Sequence, residues 1–141
     1  TAIARLVDMG IEPFMVASSL SAVLAQRLVR RICPHCRESY TPERDYAGIT
    51  LPSTLYRGRG CDACFGLGTL GRVGIYELLP VDGEICSMII RREPAGAIKE
   101  YAVGKGMRTL REDGLAKAAA GITTIEEVLR VTQEEYADLP V

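Results

Sequence analysis

Apolar positions recur along this chain in a helical rhythm at both ends, with two strand-like runs between them. In "TAIARLVDMG", Ile3, Leu6 and Val7 share one helical face and Gly10 stops the helix. "IEPFMVASSL" places Pro13 where a first helical turn tolerates it, which predicts a second short helix. "SAVLAQRLVRRI" then carries Val23, Leu24, Leu28, Val29 and Ile32 without a turn residue, and is read as a helix passing into a strand from about Gln26. Further on, "RVGIYELLPV" alternates Val73, Ile75, Tyr76, Leu78 and Leu79 up to Pro80, a second strand.

The last third returns to helices. One starts near Asp82 and stops before Pro94, and another stops at Gly104 or Gly106. Two further helices open with Thr-x-x-Glu patterns, Thr109 with Glu112 and Thr123 with Glu126, that predict capping boxes. Gly121 stops the first of them, while Ile125, Val128 and Leu129 give the second its buried face. The polar tail is expected to fray.

Between the two strand-like runs the character changes. Residues 33–74 hold three prolines and seven glycines, among them Pro34, Pro42, Gly60, Gly66 and Gly68, so long helices are excluded. Such a loop needs something other than a large core to fix it. Cys33 and Cys36 begin it, and Cys61 and Cys64 answer them, as C-x2-C-x24-C-x2-C.

A two-residue gap by itself serves a redox pair, a disulfide or half of a metal site. Two knuckles together supply four thiolates, the set that tetrahedral zinc takes. The intervening loop is somewhat longer than the usual ribbon spacing, which closure entropy tolerates because it grows slowly with length. Cys-Pro-His-Cys also suits thioredoxin-like redox chemistry, but a βαβ frame is missing and Cys61 and Cys64 stay unexplained. A closed tetrathiolate site folds its loop and leaves no open position for hydrolysis. His35 is read as a bystander, Cys86 as a small core residue of a helix, and Arg31, Arg37 and Arg59, with neighbouring backbone N–H groups, as offsetting the charge of the site.

Composition adds limits rather than direction. Net charge is −1, and the apolar share of 48% is that of an ordinary folded domain. Arginines gather around the cysteines, at positions 27, 30, 31, 37, 57, 59 and 72, so an independent zinc-ribbon adaptor binding nucleic acid or protein is the alternative function. No apolar run reaches the roughly 20 residues of a membrane-spanning helix. The reading is a cytoplasmic chain whose thiols stay reduced.

Catalytic motifs fail on context. "GLGTLG", Gly66 to Gly71, satisfies G-x-G-x-x-G, but it leaves a knuckle and enters a strand, whereas a dinucleotide loop leaves a strand and enters a helix. Neither a Walker A loop nor a nucleophile elbow is present. No catalytic residue is assigned, and the chain alone is expected not to be an enzyme.

Three stretches together, "GIEPFMVASSLSAVLAQRLVRRICPHC", "YRGRGCDACFGLGTLGRVGIYELLPVD" and "GMRTLREDGLAKAAAGITTIEEVLRVT", closely resemble the C-terminal third of the type II secretion and type IV pilus assembly ATPases. The resemblance spans about residues 1–132. It implies an α+β chain: residues 1–32 as the C-terminal edge of a RecA-like ATPase domain, and 33–72 as a zinc module at the tip of an antiparallel hairpin. Residues 73–81 would be the strand returning to the ATPase core, 82–134 a helical subdomain and 135–141 a flexible tail. Cys33, Cys36, Cys61 and Cys64 match the family's tetracysteine zinc ligands.

The Walker A loop, acidic boxes and histidine box of that family would precede Thr1, so ATP and Mg2+ belong only to a longer parent. That parent would be a hexameric motor on the cytoplasmic side of the bacterial inner membrane. Its partners would be neighbouring subunits and platform proteins, with no nucleic acid. The chain opens in mid-pattern, as a piece of something longer would, and Phe14, Val16, Leu24 and Leu28 are expected to be exposed or repacked.

Overall fold

A computed structural model describes residues 2–43, 46 and 48–133. Helix α1 (Ala2–Asp8) buries Ile3 and packs Leu6 and Val7 against the same core. It ends as its apolar face predicts: Gly10 adopts φ +92° and its N–H donates to the Val7 carbonyl at 2.9 Å. Helix α2 (Pro13–Ser19) starts with Pro13 in its first turn and buries Val16 and Ala17.

Strand β1 (Ala22–Ile32) corrects the expectation of a helix as far as Gln26. Its first residues alternate, with Val23 and Ala25 half-buried and Ala22, Leu24 and Gln26 exposed. That period of two has no helical counterpart, and Ser18, Ser19 and Ser21 offer no apolar face on which α2 could continue. Of the four apolar residues expected to lose their cover, Phe14, Leu24 and Leu28 are exposed at 60, 61 and 47%, whereas Val16 is buried in the core.

β1 pairs with strand β4 (Thr69–Pro80), the partnership that the family resemblance implied. The cysteine loop lies between them in sequence and forms its own small sheet, β2 (Arg37–Tyr40) with β3 (Leu55–Gly58). These run antiparallel, with Arg37 opposite Gly58 and Tyr40 opposite Leu55.

Four helices follow: α3 (Gly83–Ile90), α4 (Ala95–Gly104), α5 (Leu110–Ala119) and α6 (Ile125–Thr132). Asp82 caps α3, its Oδ1 accepting from the Ile85 N–H at 2.8 Å, and its Oδ2 accepts from the Tyr101 hydroxyl at 2.9 Å. The cap of α6 is Thr124, whose Oγ1 accepts from the Glu127 N–H at 3.3 Å, one residue beyond the expected Thr123. Thr123 is fully buried and donates instead to the Arg30 carbonyl at 2.7 Å, so tertiary pairing takes the residue that local pattern assigned to the cap. Residues 135–141, expected as a flexible tail, lie outside the described residues.

The chain forms two compact units, each built from two separate segments. One comprises Thr1–Ala25 and Glu77–Thr109, with a core of Ile3, Val16, Ala17, Ile85, Met88, Ile89 and Ile98. The other comprises Gln26–Tyr76 and Leu110–Val141, so the cysteine loop shares a unit with α5 and α6. Within it, the segment before α6 runs along the end of β1. The Ile32 N–H donates to the Ile122 carbonyl at 2.9 Å, Arg31 bridges to Thr123, and the Arg30 N–H donates to Glu127 Oε2 at 2.8 Å. The Asp113 carboxylate accepts from the Tyr76 N–H at 2.9 Å and pairs with Lys117, which also donates to the Gly74 carbonyl at 2.8 Å.

Candidate metal centre

Two tight turns build the centre. The first begins where β1 ends on buried Ile32, and carries Cys33 and Cys36 inward while Pro34 and His35 stay exposed. The second is a single 3-10 turn, Asp62–Cys64, in which Cys61 and Cys64 face each other's backbone N–H groups. Phe65 follows in the left-handed region at φ +54°, and the Gly66 N–H returns to the Cys61 carbonyl at 2.9 Å. Backbone bonds lock the turns together: Cys33 N–H to the Gly68 carbonyl and Arg59 N–H to the Cys36 carbonyl, both at 3.0 Å.

Close backbone approach explains two of the glycines. Gly68 sits at φ +73°, and a Cβ added there would lie 2.5 Å from the Gly58 carbonyl oxygen. A Cβ at Gly58 would in turn overlap the Gly68 carbonyl. The stretch enters β4 rather than a helix, so its G-x-G-x-x-G pattern serves this crossing and not a nucleotide.

All four sulfurs lie within 4.8 Å of one another. Cys33 to Cys61 and Cys36 to Cys64 are 3.8 Å apart, and Cys61 to Cys64 is 3.7 Å. A disulfide needs about 2.05 Å, so the four are free thiols. Four sulfurs at about 2.3 Å from a zinc ion form a tetrahedron of edge about 3.8 Å. These three pairs match that edge, and all four sulfurs lie near enough to share one ion.

The electrostatics suit cation capture. Burial pushes the Cys64 thiol up, but backbone N–H groups of Cys61 and Gly68, each 3.2 Å from its sulfur, outweigh burial and bring it down to about 6. Burial raises Cys36 to about 11 against the opposing N–H of Gly60 at 3.2 Å, and the neighbouring thiols add to the rise. The amides thus favour the thiolate form of Cys64, the form in which a cysteine ligates a metal.

The structure brings all four predicted cysteines together and leaves His35 outside them. Cys86 donates its S–H to the Ala17 carbonyl at 3.2 Å and packs against the core of the other unit. Arg37, expected to offset the thiolates, instead donates to the Gly121 carbonyl at 3.3 Å and lies over the Tyr56 ring. Among the described residues, backbone N–H groups of Gly60, Cys61, Cys64 and Gly68 donate to the sulfurs. The signal for them was present in sequence as glycines just before Cys61 and four residues after Cys64, where a side chain would block the amide's approach.

The described residues thus form a strand pair interrupted by a loop that gathers four cysteines, and short helices follow it. Residues 1–130 match the family described as "Type II/IV secretion system protein". The chain is 49% identical over 140 residues to the type IV pilus assembly ATPase PilB of Thermus thermophilus, covering 94% of this chain and 16% of that protein. It is 46% identical to type II secretion system protein E of Pseudomonas aeruginosa, covering 95% of this chain and 28% of that one. It is also 46% identical to type II secretion system ATPase E of Vibrio cholerae, at 94% and 27%. This chain belongs to the type II/IV secretion system protein family, and spans between about a sixth and somewhat over a quarter of the length of these relatives. Among the described residues no helix is long and apolar enough to cross a membrane.

Proposed function

We propose that this chain is the zinc-stabilised C-terminal portion of a secretion or pilus-assembly motor ATPase, with Cys33, Cys36, Cys61 and Cys64 as the zinc ligands. The gathering of the four sulfurs within 4.8 Å of one another carries the reading, three of their pairs lying at 3.7 to 3.8 Å, close to the edge of a zinc tetrathiolate. The ion closes the loop between β1 and β4 and performs no chemistry on a substrate. Residues 1–32 and 73–81 form the edge of a RecA-like domain whose nucleotide-binding residues lie elsewhere in the parent. ATP, Mg2+ and the hydrolytic machinery belong to that parent, which works as a hexamer at the cytoplasmic face of the inner membrane. There it drives pilin or pseudopilin assembly through platform proteins, and this portion contributes rigidity and contact surface.

The test is metal content. Purified protein carries about one zinc per chain by elemental analysis, and Cys61→Ser loses both the metal and the protection of the 33–68 amides from hydrogen exchange. Metal-free protein with those amides still protected would sink the proposal.

A further inference from the structure

The four sulfurs are not equivalent. Cys33, Cys36 and Cys64 are buried, at 0, 3 and 1% exposure, whereas Cys61 is only half-buried. It opens its turn two residues after exposed Arg59 and just before exposed Asp62 and Ala63. Thiolate oxidation follows access, and a bound ion keeps all four sulfurs in thiolate form. Of the four cysteines, Cys61 is therefore the one that is not buried.

We propose that Cys61 is the oxidation site through which peroxide opens the metal centre, with Cys64 as the resolving thiol. The inference rests on the zinc reading above. In the first step the Cys61 sulfur attacks one peroxide oxygen. An S–O bond forms as the O–O bond breaks, and hydroxide leaves. In the second step the Cys64 sulfur, 3.7 Å away in the same turn, attacks the Cys61 sulfenic acid. The S–S bond forms, the S–O bond breaks, and a second hydroxide leaves. Two electrons pass from the two sulfurs to the peroxide, while Zn2+ keeps its charge and loses two of its four ligands. The ion then dissociates, and the loop loses its closure.

The chain's own cleavage sites make the test direct. Trypsin cuts after Arg31, Arg37, Arg59 and Arg72, which places Cys33 and Cys36 in peptide 32–37 and Cys61 and Cys64 in peptide 60–72. Zinc-loaded protein, its metal content first measured, is treated with hydrogen peroxide. Released zinc is followed with a chromogenic chelator, and samples are alkylated, digested and weighed. Zinc release should keep pace with peptide 60–72 becoming lighter by two hydrogens and losing both alkylation sites, ahead of any change in peptide 32–37. Cys61→His, which keeps a nitrogen ligand for the ion but removes the exposed sulfur, should release zinc roughly tenfold more slowly.

A first disulfide of any other pairing overturns the proposal, even if the histidine variant fails to fold. So does zinc held through complete oxidation of Cys61, or release without oxidation of peptide 60–72. Protein that carries no zinc before peroxide is added overturns the metal reading itself, and this inference with it.

Discussion

Replacing Gly68 by alanine perturbs the centre without touching a sulfur. Two costs arise at this position. An L-residue at φ +73° gives up about 1 to 2 kcal/mol relative to glycine. The new Cβ would also stand 2.5 Å from the Gly58 carbonyl oxygen and 3.0 Å from its carbon, both backbone atoms of β3 that cannot rotate away. Overpacking of this kind costs about 1 to 3 kcal/mol. Gly66 supplies the control, since its φ of +76° is nearly the same and nothing lies within 4 Å of an added Cβ.

Gly66→Ala therefore carries only the first cost, and Gly68→Ala carries both. Loop folding and zinc binding are one equilibrium, so the extra penalty should weaken zinc affinity by roughly 5- to 150-fold beyond that of Gly66→Ala. Gly68 also donates its N–H to Cys64 Sγ at 3.2 Å and accepts the Cys33 N–H at 3.0 Å, so any shift of this residue pulls on both turns. Competition for zinc against a chromogenic chelator at fixed pH measures the difference. Equal apparent affinities for the two variants would refute the claim that backbone contact at Gly68 shapes the site.

Two further outcomes are expected away from the metal. Thr123→Val keeps the shape but strands the Arg30 carbonyl, and should cost about 1 to 3 kcal/mol in urea unfolding; Thr124→Ala removes the true cap of α6 and should cost about 1 kcal/mol. A neutral Thr123→Val would contradict a stabilising role for the bond from its hydroxyl to the Arg30 carbonyl. The Asp82 carboxyl titrates below its ordinary range because the Ile85 N–H and then the Tyr101 hydroxyl bind its charged form. Its contribution is full above the unfolded-state value of about 3.9 and fades as pH falls through the lower folded-state value. Asp82→Asn should therefore be less stable than wild type at pH 6, with the gap narrowing toward pH 2.5; a gap constant over that range would contradict it.

Elements whose apolar period is local were legible in the sequence. The face of α1, the Pro13 start of α2, the Asp82 cap and the stops at Gly10, Gly106 and Gly121 rest on backbone rules that need no tertiary context. The two strands were legible as apolar runs on either side of a loop that cannot be helical, while their pairing came from the family resemblance. What failed depended on contacts distant in sequence. Thr123 left its cap for Arg30, 93 residues earlier, and Arg37 turned to Gly121, 84 residues later. At the centre, cysteine spacing identified which residues meet, whereas the amides that support the sulfurs have no side-chain signature. Only the glycines around them carry a trace.

The division of each compact unit into two chain segments bears on how the protein is made. Cys64 leaves the ribosome 63 residues before Glu127, whose carboxylate holds the end of β1. At ordinary elongation rates of about 5 to 20 residues per second, that interval lasts roughly 3 to 13 s. During it the nascent chain carries all four thiols of the loop before Glu127 exists to hold the end of β1, so a chain that took up a metal ion then would do so before its unit is complete.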